Sequence, residues 1–148
     1  MLENKLVKSG LLGSASALGY NWIYDRELLV ERSKTHKMIF DPIDHKLYKK
    51  AKTSFDVYPN HKVGDLDFMG EVFYLFHMFF FYEKDLTIER WRANFYNYFR
   101  EDFEYDGYIE SFGKDFLKKY KEELDGKKEE TYNTDHLDKQ LVGLLFIL

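Results

Sequence analysis

Residues 87–103, TIERWRANFYNYFREDF, decide the fold class. Ile88, Trp91, Phe95, Phe99 and Phe103 recur at spacings of three and four, which is one face of an α-helix. The residues between them are mostly polar or charged, so the segment reads as an amphipathic helix with one buried stripe. Thr87 stands just before the stripe, where a hydroxyl can accept from an unpaired N–H of the first turn. Asp106-Gly107 marks its end.

The same period extends in both directions. Downstream, Ile109, Phe112, Phe116, Tyr120 and Leu124 form a second stripe, closed by Asp125-Gly126. After a polar stretch, Thr134 can cap a further helix with Leu137, Leu141, Leu144 and Leu148 on one face. Upstream, Asp67 can cap a helix to about Glu83. Its second half is apolar on every side, which predicts burial. A helix from about Glu3 to Tyr20 is thin, because Gly10, Gly13, Ser14, Ala15, Ser16 and Ala17 line it. Each Gly costs about 1 kcal/mol relative to Ala, so close packing by a neighbour has to repay it. Tyr24 to Glu31 reads as a short helix with Asp25 near its start. The expectation is an all-α, bundle-like single domain over residues 1–148. A long irregular connection at about 33–63 interrupts it, with a helical turn or two near Lys46 to Lys52.

Composition narrows the function classes. The chain has 148 residues, enough to bury a core without disulfides or a structural metal. Fourteen Phe and twelve Tyr make that core largely aromatic. With no cysteine, thiolate catalysis and cysteine-ligated metals are excluded. A net charge of −4, with one basic cluster at Lys46, Lys49, Lys50 and Lys52, argues against nucleic acid as a partner. The apolar run from Val72 to Tyr82 is too short to span a bilayer, and the N-terminal apolar stretch is too short for an export signal. A cytoplasmic protein with no membrane partner is expected.

Chemistry-bearing motifs are few. His36, His45, His61, His77 and His136 lack metal-ligand spacing, and His77 reads as a hydrogen-bonded core residue. In HKVGDLDFMGE, residues 61–71, Asp65, Asp67 and Glu71 gather three carboxylates. Oxygen ligands at this density can hold Mg²⁺. The same residues also read as a cap, Asp67, and a first-turn charge, Glu71, suited to the helix dipole.

Two stretches together suggest a family. Leu18-Gly19-Tyr20-Asn21-Trp22-Ile23-Tyr24-Asp25, after a small-residue helix, resembles the opening of the ADP-ribosylglycohydrolase family. It is most similar to the J1-crystallin-like branch, where the string LGAHWIYD occurs. Tyr58-Pro59-Asn60-His61-Lys62, leading to Gly64-Asp65 and Gly70-Glu71, resembles that branch's GDFTHYGDQ segment. Asp106-Gly107-Tyr108 and Asp138 to Leu148 are similar to later, weaker landmarks. The order agrees along nearly the whole chain, which would correspond to the N-terminal half of a family member.

The resemblance implies an all-α fold and hydrolysis of the bond joining ADP-ribose to an acceptor. Active members use two Mg²⁺ ions. The implied metal ligands here are Glu71, Asp65 and Asp67, and the implied substrate contacts are Trp22, Asp25 and His61. No catalytic residue is assigned. The family's Thr-Asp-Asp-type triplet aligns with Met69-Gly70-Glu71, where only Glu71 keeps a carboxylate. The Asp-x-Asp-Thr-type motif of the second half is absent. These departures predict a chain that is impaired alone, or one completed by a second polypeptide. The alternative is a non-catalytic helical interaction or dimerisation module. The apolar end, Leu141 to Leu148, is expected to be covered by more chain, a second copy or another protein.

Overall fold

A computed structural model of the chain describes residues 2–82, 87–101 and 105–127. Among the described residues the protein is all-α, with six α-helices, one 3₁₀ turn and no strand. The helices are α1 (Leu2–Ala17), α2 (Arg26–Ser33), α3 (His45–Lys50), α4 (Phe68–Tyr82), α5 (Ile88–Phe99) and α6 (Ser111–Leu124). The 3₁₀ turn, Leu18–Tyr20, continues α1 directly. The chain divides into two compact units, Met1–Tyr74 and Leu75–Leu148. The helix expected after Thr134, the apolar end Leu141 to Leu148, and Phe103 lie outside the described residues.

In the first unit the thin face of α1 is used as its composition suggests. A Cβ on Gly10 would stand 3.0 Å from the Phe73 ring. A Cβ on Gly70 would collide with Ser14 Oγ. The first turns of α4 therefore rest on α1 at a distance that larger residues would prevent. Phe68 and Val72 are fully buried there. Removing each from water contributes about 2–3 kcal/mol.

The connection after α2 folds back on the segment that follows α1. Ile23, Leu47 and Tyr48 form a buried cluster, with Tyr20, Leu28, Leu29, Ile43 and Ala51 packed against it. A single antiparallel bridge joins Ile23 to Ser54. Tyr24 N–H donates to Thr53 O at 2.9 Å and Phe55 N–H donates to Trp22 O at 3.1 Å. The long irregular stretch is thus anchored along its length, and α3 is its one regular turn and a half.

In the second unit α5 carries the stripe read from the sequence. Trp91, Phe95 and Phe99 are buried, and Phe112 of α6 is buried with them. Phe95 meets Phe116 edge-on with centroids 5.0 Å apart, and Tyr96 meets Tyr120 at 5.1 Å. Thr87 caps α5 through its hydroxyl, which accepts from Arg90 N–H at 3.3 Å. The helix stops at Phe99, four residues before the stripe would end, because Arg100 turns extended at ψ 154°.

α4 corrects one expectation. Its all-round apolar second half predicts burial, yet Phe80, Phe81 and Tyr82 are 60%, 58% and 77% exposed. Apolar character on every side does not bury a helix where only part of its circumference meets packed neighbours.

Candidate functional site

The two stretches that suggested a family meet in space. Asp67, just before α4, is the residue they share. Its Oδ1 accepts from Gly70 N–H at 2.7 Å, which caps α4 as the sequence predicts. The same oxygen accepts from Ser14 Oγ at 2.8 Å, and Oδ2 accepts from Asn21 Nδ2 at 2.8 Å. One partly buried carboxylate thereby ties α1, the turn after it and the start of α4 together.

Asn21 is the second hub. Besides reaching Asp67, its Oδ1 accepts from Trp22 N–H at 3.1 Å, and its carbonyl accepts from Tyr48 Oη at 2.6 Å. Burial, together with the nearby charge of Asp56, pushes the Tyr48 hydroxyl up to about 12. Trp22 adopts φ 65°, in the left-handed region that non-glycine residues seldom occupy. Its ring lies edge-on to Tyr24 and Phe55 at centroid distances of 6.4 and 6.1 Å. Tyr24 and Phe55 are more than half exposed, so these rings form a small aromatic surface.

The remaining residues singled out from the sequence fall into different settings. Asp25 is buried and caps α2: Oδ1 accepts from Leu28 N–H at 3.1 Å and Oδ2 from Lys52 N–H at 2.9 Å. Those two backbone donors, Lys52 first, hold its carboxyl below the usual aspartate range. Its oxygens are therefore committed to the fold. His61 leans on the buried Tyr58 ring, with centroids 4.9 Å apart. Tyr58 Oη in turn accepts from Phe68 N–H at 3.0 Å. Asp65 is exposed, and its Oδ2 accepts from Lys62 N–H at 2.7 Å, closing a tight turn over Gly64 at φ 98°. Glu71 lies half-buried in the first turn of α4.

Among the described residues no three His, Cys, Asp or Glu side chains gather into a group that could hold a metal ion. The donor chemistry agrees. Mg²⁺ asks for several open oxygens in near-octahedral array, whereas Asp67 already receives three hydrogen bonds and Asp65 closes its own turn. Asp65, Asp67 and Glu71, as arranged here, do not fit a magnesium centre.

Sequence reasoning assigned no site role to Ser14, Asn21 or Tyr48. A serine inside a glycine-rich helix and an asparagine after it carry no spacing signal, since their partner is 53 and 46 residues away. Nor did it foresee the role of Tyr20, whose hydroxyl donates to Asp41. Burial and the Asp41 carboxylate raise that hydroxyl above its ordinary value, with Arg32 opposing.

Compared with known proteins, the chain matches no family model, no curated protein and no solved structure. None of the helices among the described residues is long and apolar enough to cross a membrane.

Proposed function

We propose that this chain is an ADP-ribosylglycohydrolase-like helical protein that recognises ADP-ribose or an ADP-ribosylated acceptor, and that it does not build a magnesium centre from Asp65, Asp67 and Glu71 alone. One observation carries the reading. The two resembling stretches, Leu18–Asp25 and Tyr58–Glu71, are joined by the Asn21–Asp67 hydrogen bond at 2.8 Å.

On this reading Asp67 and Asp25 are positioning residues, and the aromatic surface of Trp22, Tyr24 and Phe55 is the contact for a flat ring such as adenine. Rings of this kind supply large contact area at low entropic cost. Hydrolysis, where it occurs, depends on groups beyond the three carboxylates.

The test is thermal melting of the full chain with and without ADP-ribose, each with and without Mg²⁺. A ligand at a hundred times its dissociation constant adds about 2.7 kcal/mol to stability. A rise in Tm with ADP-ribose that Phe55→Ala abolishes supports the reading. An unchanged Tm in all four conditions overturns it. The second reading, a non-catalytic helical interaction module, is favoured by the exposed run Phe80-Phe81-Tyr82. It predicts concentration-dependent association in sedimentation, with no response to ADP-ribose.

A further inference from the structure

The connection between α2 and α3 lines an open groove of about 650 Å³. That lies within the range of small-molecule pockets. Its charged lining is Arg32, His36, Asp41, Asp44, His45 and Lys46.

These charges are not equivalent. Both carboxylates are engaged inside the protein: Asp41 accepts from the Tyr20 hydroxyl, and Asp44 Oδ1 caps α3 through Lys46 N–H at 3.0 Å and Leu47 N–H at 3.3 Å. His45 Nδ1 is held by Asp56 at 2.6 Å. The two strong cations are placed differently: Arg32 lies close enough to the Tyr20 hydroxyl to oppose the rise of its pKa, and Lys46 is exposed. Among the described residues no carboxylate forms an ion pair with Arg32 or with Lys46. Arg32 Nε is moreover buried with no hydrogen-bond acceptor. A buried guanidinium N–H left unmet is costly and calls for an acceptor. His36, with Nδ1 bonded to Thr35 Oγ1 at 2.8 Å, adds a fourth nitrogen-bearing side chain to those of Arg32, His45 and Lys46.

The loop that leads into this lining is held in place. Met38 and Phe40 hold φ 55° and 52°, and Phe40 N–H donates to Ser16 O at 3.0 Å. A Cβ on Gly19 would stand 2.5 Å from Asp41 O, so the loop is pressed onto the 3₁₀ turn. Left-handed residues held by their surroundings are frequent at ligand clamps, and a preformed wall lowers the ordering cost of binding.

We propose that this groove binds a small phosphate-bearing anion. Arg32 supplies the planar fork that matches two phosphate oxygens, and Lys46 supplies a second, movable charge. The inference rests on the groove, on the unmet Nε of Arg32 and on the lack, among the described residues, of an ion pair to Arg32 or Lys46, and it stands or falls separately from the ADP-ribose reading.

The experiment is an amide NMR titration of the full chain with sodium pyrophosphate at constant ionic strength, using succinate as the carboxylate arm. Saturable shifts confined to residues 32–46 are expected, with binding at least ten-fold weaker in Lys46→Gln and lost in Arg32→Gln. Lys49→Gln, on α3 but outside the lining, should bind as the unaltered chain does. Lys46 is exposed, so its variant carries the test even where Arg32→Gln fails to fold. Non-saturating shifts, equal weakening by Lys49→Gln, unweakened binding by Lys46→Gln, or tighter binding of succinate than of pyrophosphate would each overturn the proposal.

Discussion

The side-chain amide of Asn21 donates to Asp67 Oδ2 at 2.8 Å, across 46 residues of chain. The opposite oxygen of the same carboxylate is taken by Ser14 and by the α4 backbone. A cap that also serves as a tertiary anchor is worth more than a cap alone. Loss of a cap typically costs about 1 kcal/mol, and hydrogen bonds to a charged group about 1.5–3 kcal/mol. Asp67→Ala is therefore expected to destabilise the chain by about 2–3 kcal/mol in urea unfolding. In a double-mutant cycle with Asn21→Ala the coupling should exceed about 0.5 kcal/mol. Strict additivity of the two changes would show that the bond contributes nothing.

Two glycines of one continuous helical segment should respond with opposite sign. Gly13 is exposed, and a Cβ there meets nothing within 4 Å. Gly13→Ala lies in the interior of α1, so it should stabilise by about 0.5–1 kcal/mol through helix propensity. At Gly19 the added Cβ would meet the Asp41 carbonyl oxygen at 2.5 Å, and backbone cannot rotate aside. Gly19→Ala should destabilise by about 1–3 kcal/mol. Equal melting temperatures for the two variants would contradict the packing of the loop on the 3₁₀ turn.

Acid should weaken the fold partly through Asp25. Its carboxyl is held below the ordinary value by backbone donors from Lys52 and Leu28. A group with a depressed folded pKa contributes stability above its unfolded value, about 3.9, and loses it as pH falls through the lower folded value. Asp25→Asn keeps a capping oxygen but cannot titrate. The stability advantage of the unaltered chain over Asp25→Asn should thus hold at neutral pH and shrink below about pH 4. Urea midpoints at neutral and acid pH measure it. A constant difference across that range would assign the acid sensitivity to other carboxylates.

The local part of the fold was legible in the sequence, and the long-range part was not. Thr87, Asp67 and Asp25 announce their caps within three residues, and the stripe of Trp91, Phe95 and Phe99 announces its buried face. The thin face of α1 even foretold a close neighbour, though not that Phe73 and Gly70 supply it. The magnesium reading of Asp65, Asp67 and Glu71 counted carboxylates along the chain. The donors from Ser14 and Asn21 that meet Asp67 come from α1 and the turn after it, and leave no mark in such a count. Nor did any local signal mark Arg32, whose environment is made by residues up to fourteen positions further on. Burial was met in α4 at Phe68, Val72 and Leu75 but not at its end, Phe80 to Tyr82: hydropathy sets what a helix prefers, and the neighbours available set what it receives.

Alkali should act through Tyr48. Its hydroxyl donates to Asn21 O at 2.6 Å, and burial lifts its pKa to about 12, against about 10 in an unfolded chain. A raised folded value means that the native state holds the proton more tightly. The stability it contributes is fully present below about pH 10, and it is lost as pH rises towards about 12. Tyr48→Phe removes both the proton and the bond, leaving the Asn21 carbonyl one donor short. At neutral pH the variant should be less stable by about 1 kcal/mol. Between pH 10 and 12 its stability should fall less steeply than that of the unaltered chain, followed by urea unfolding alongside tyrosine absorbance. Parallel declines would mean that Tyr48 titrates no differently when folded. The hub at Asn21 would then be open to water, rather than the closed junction on which the position of Trp22 and Asp67 depends.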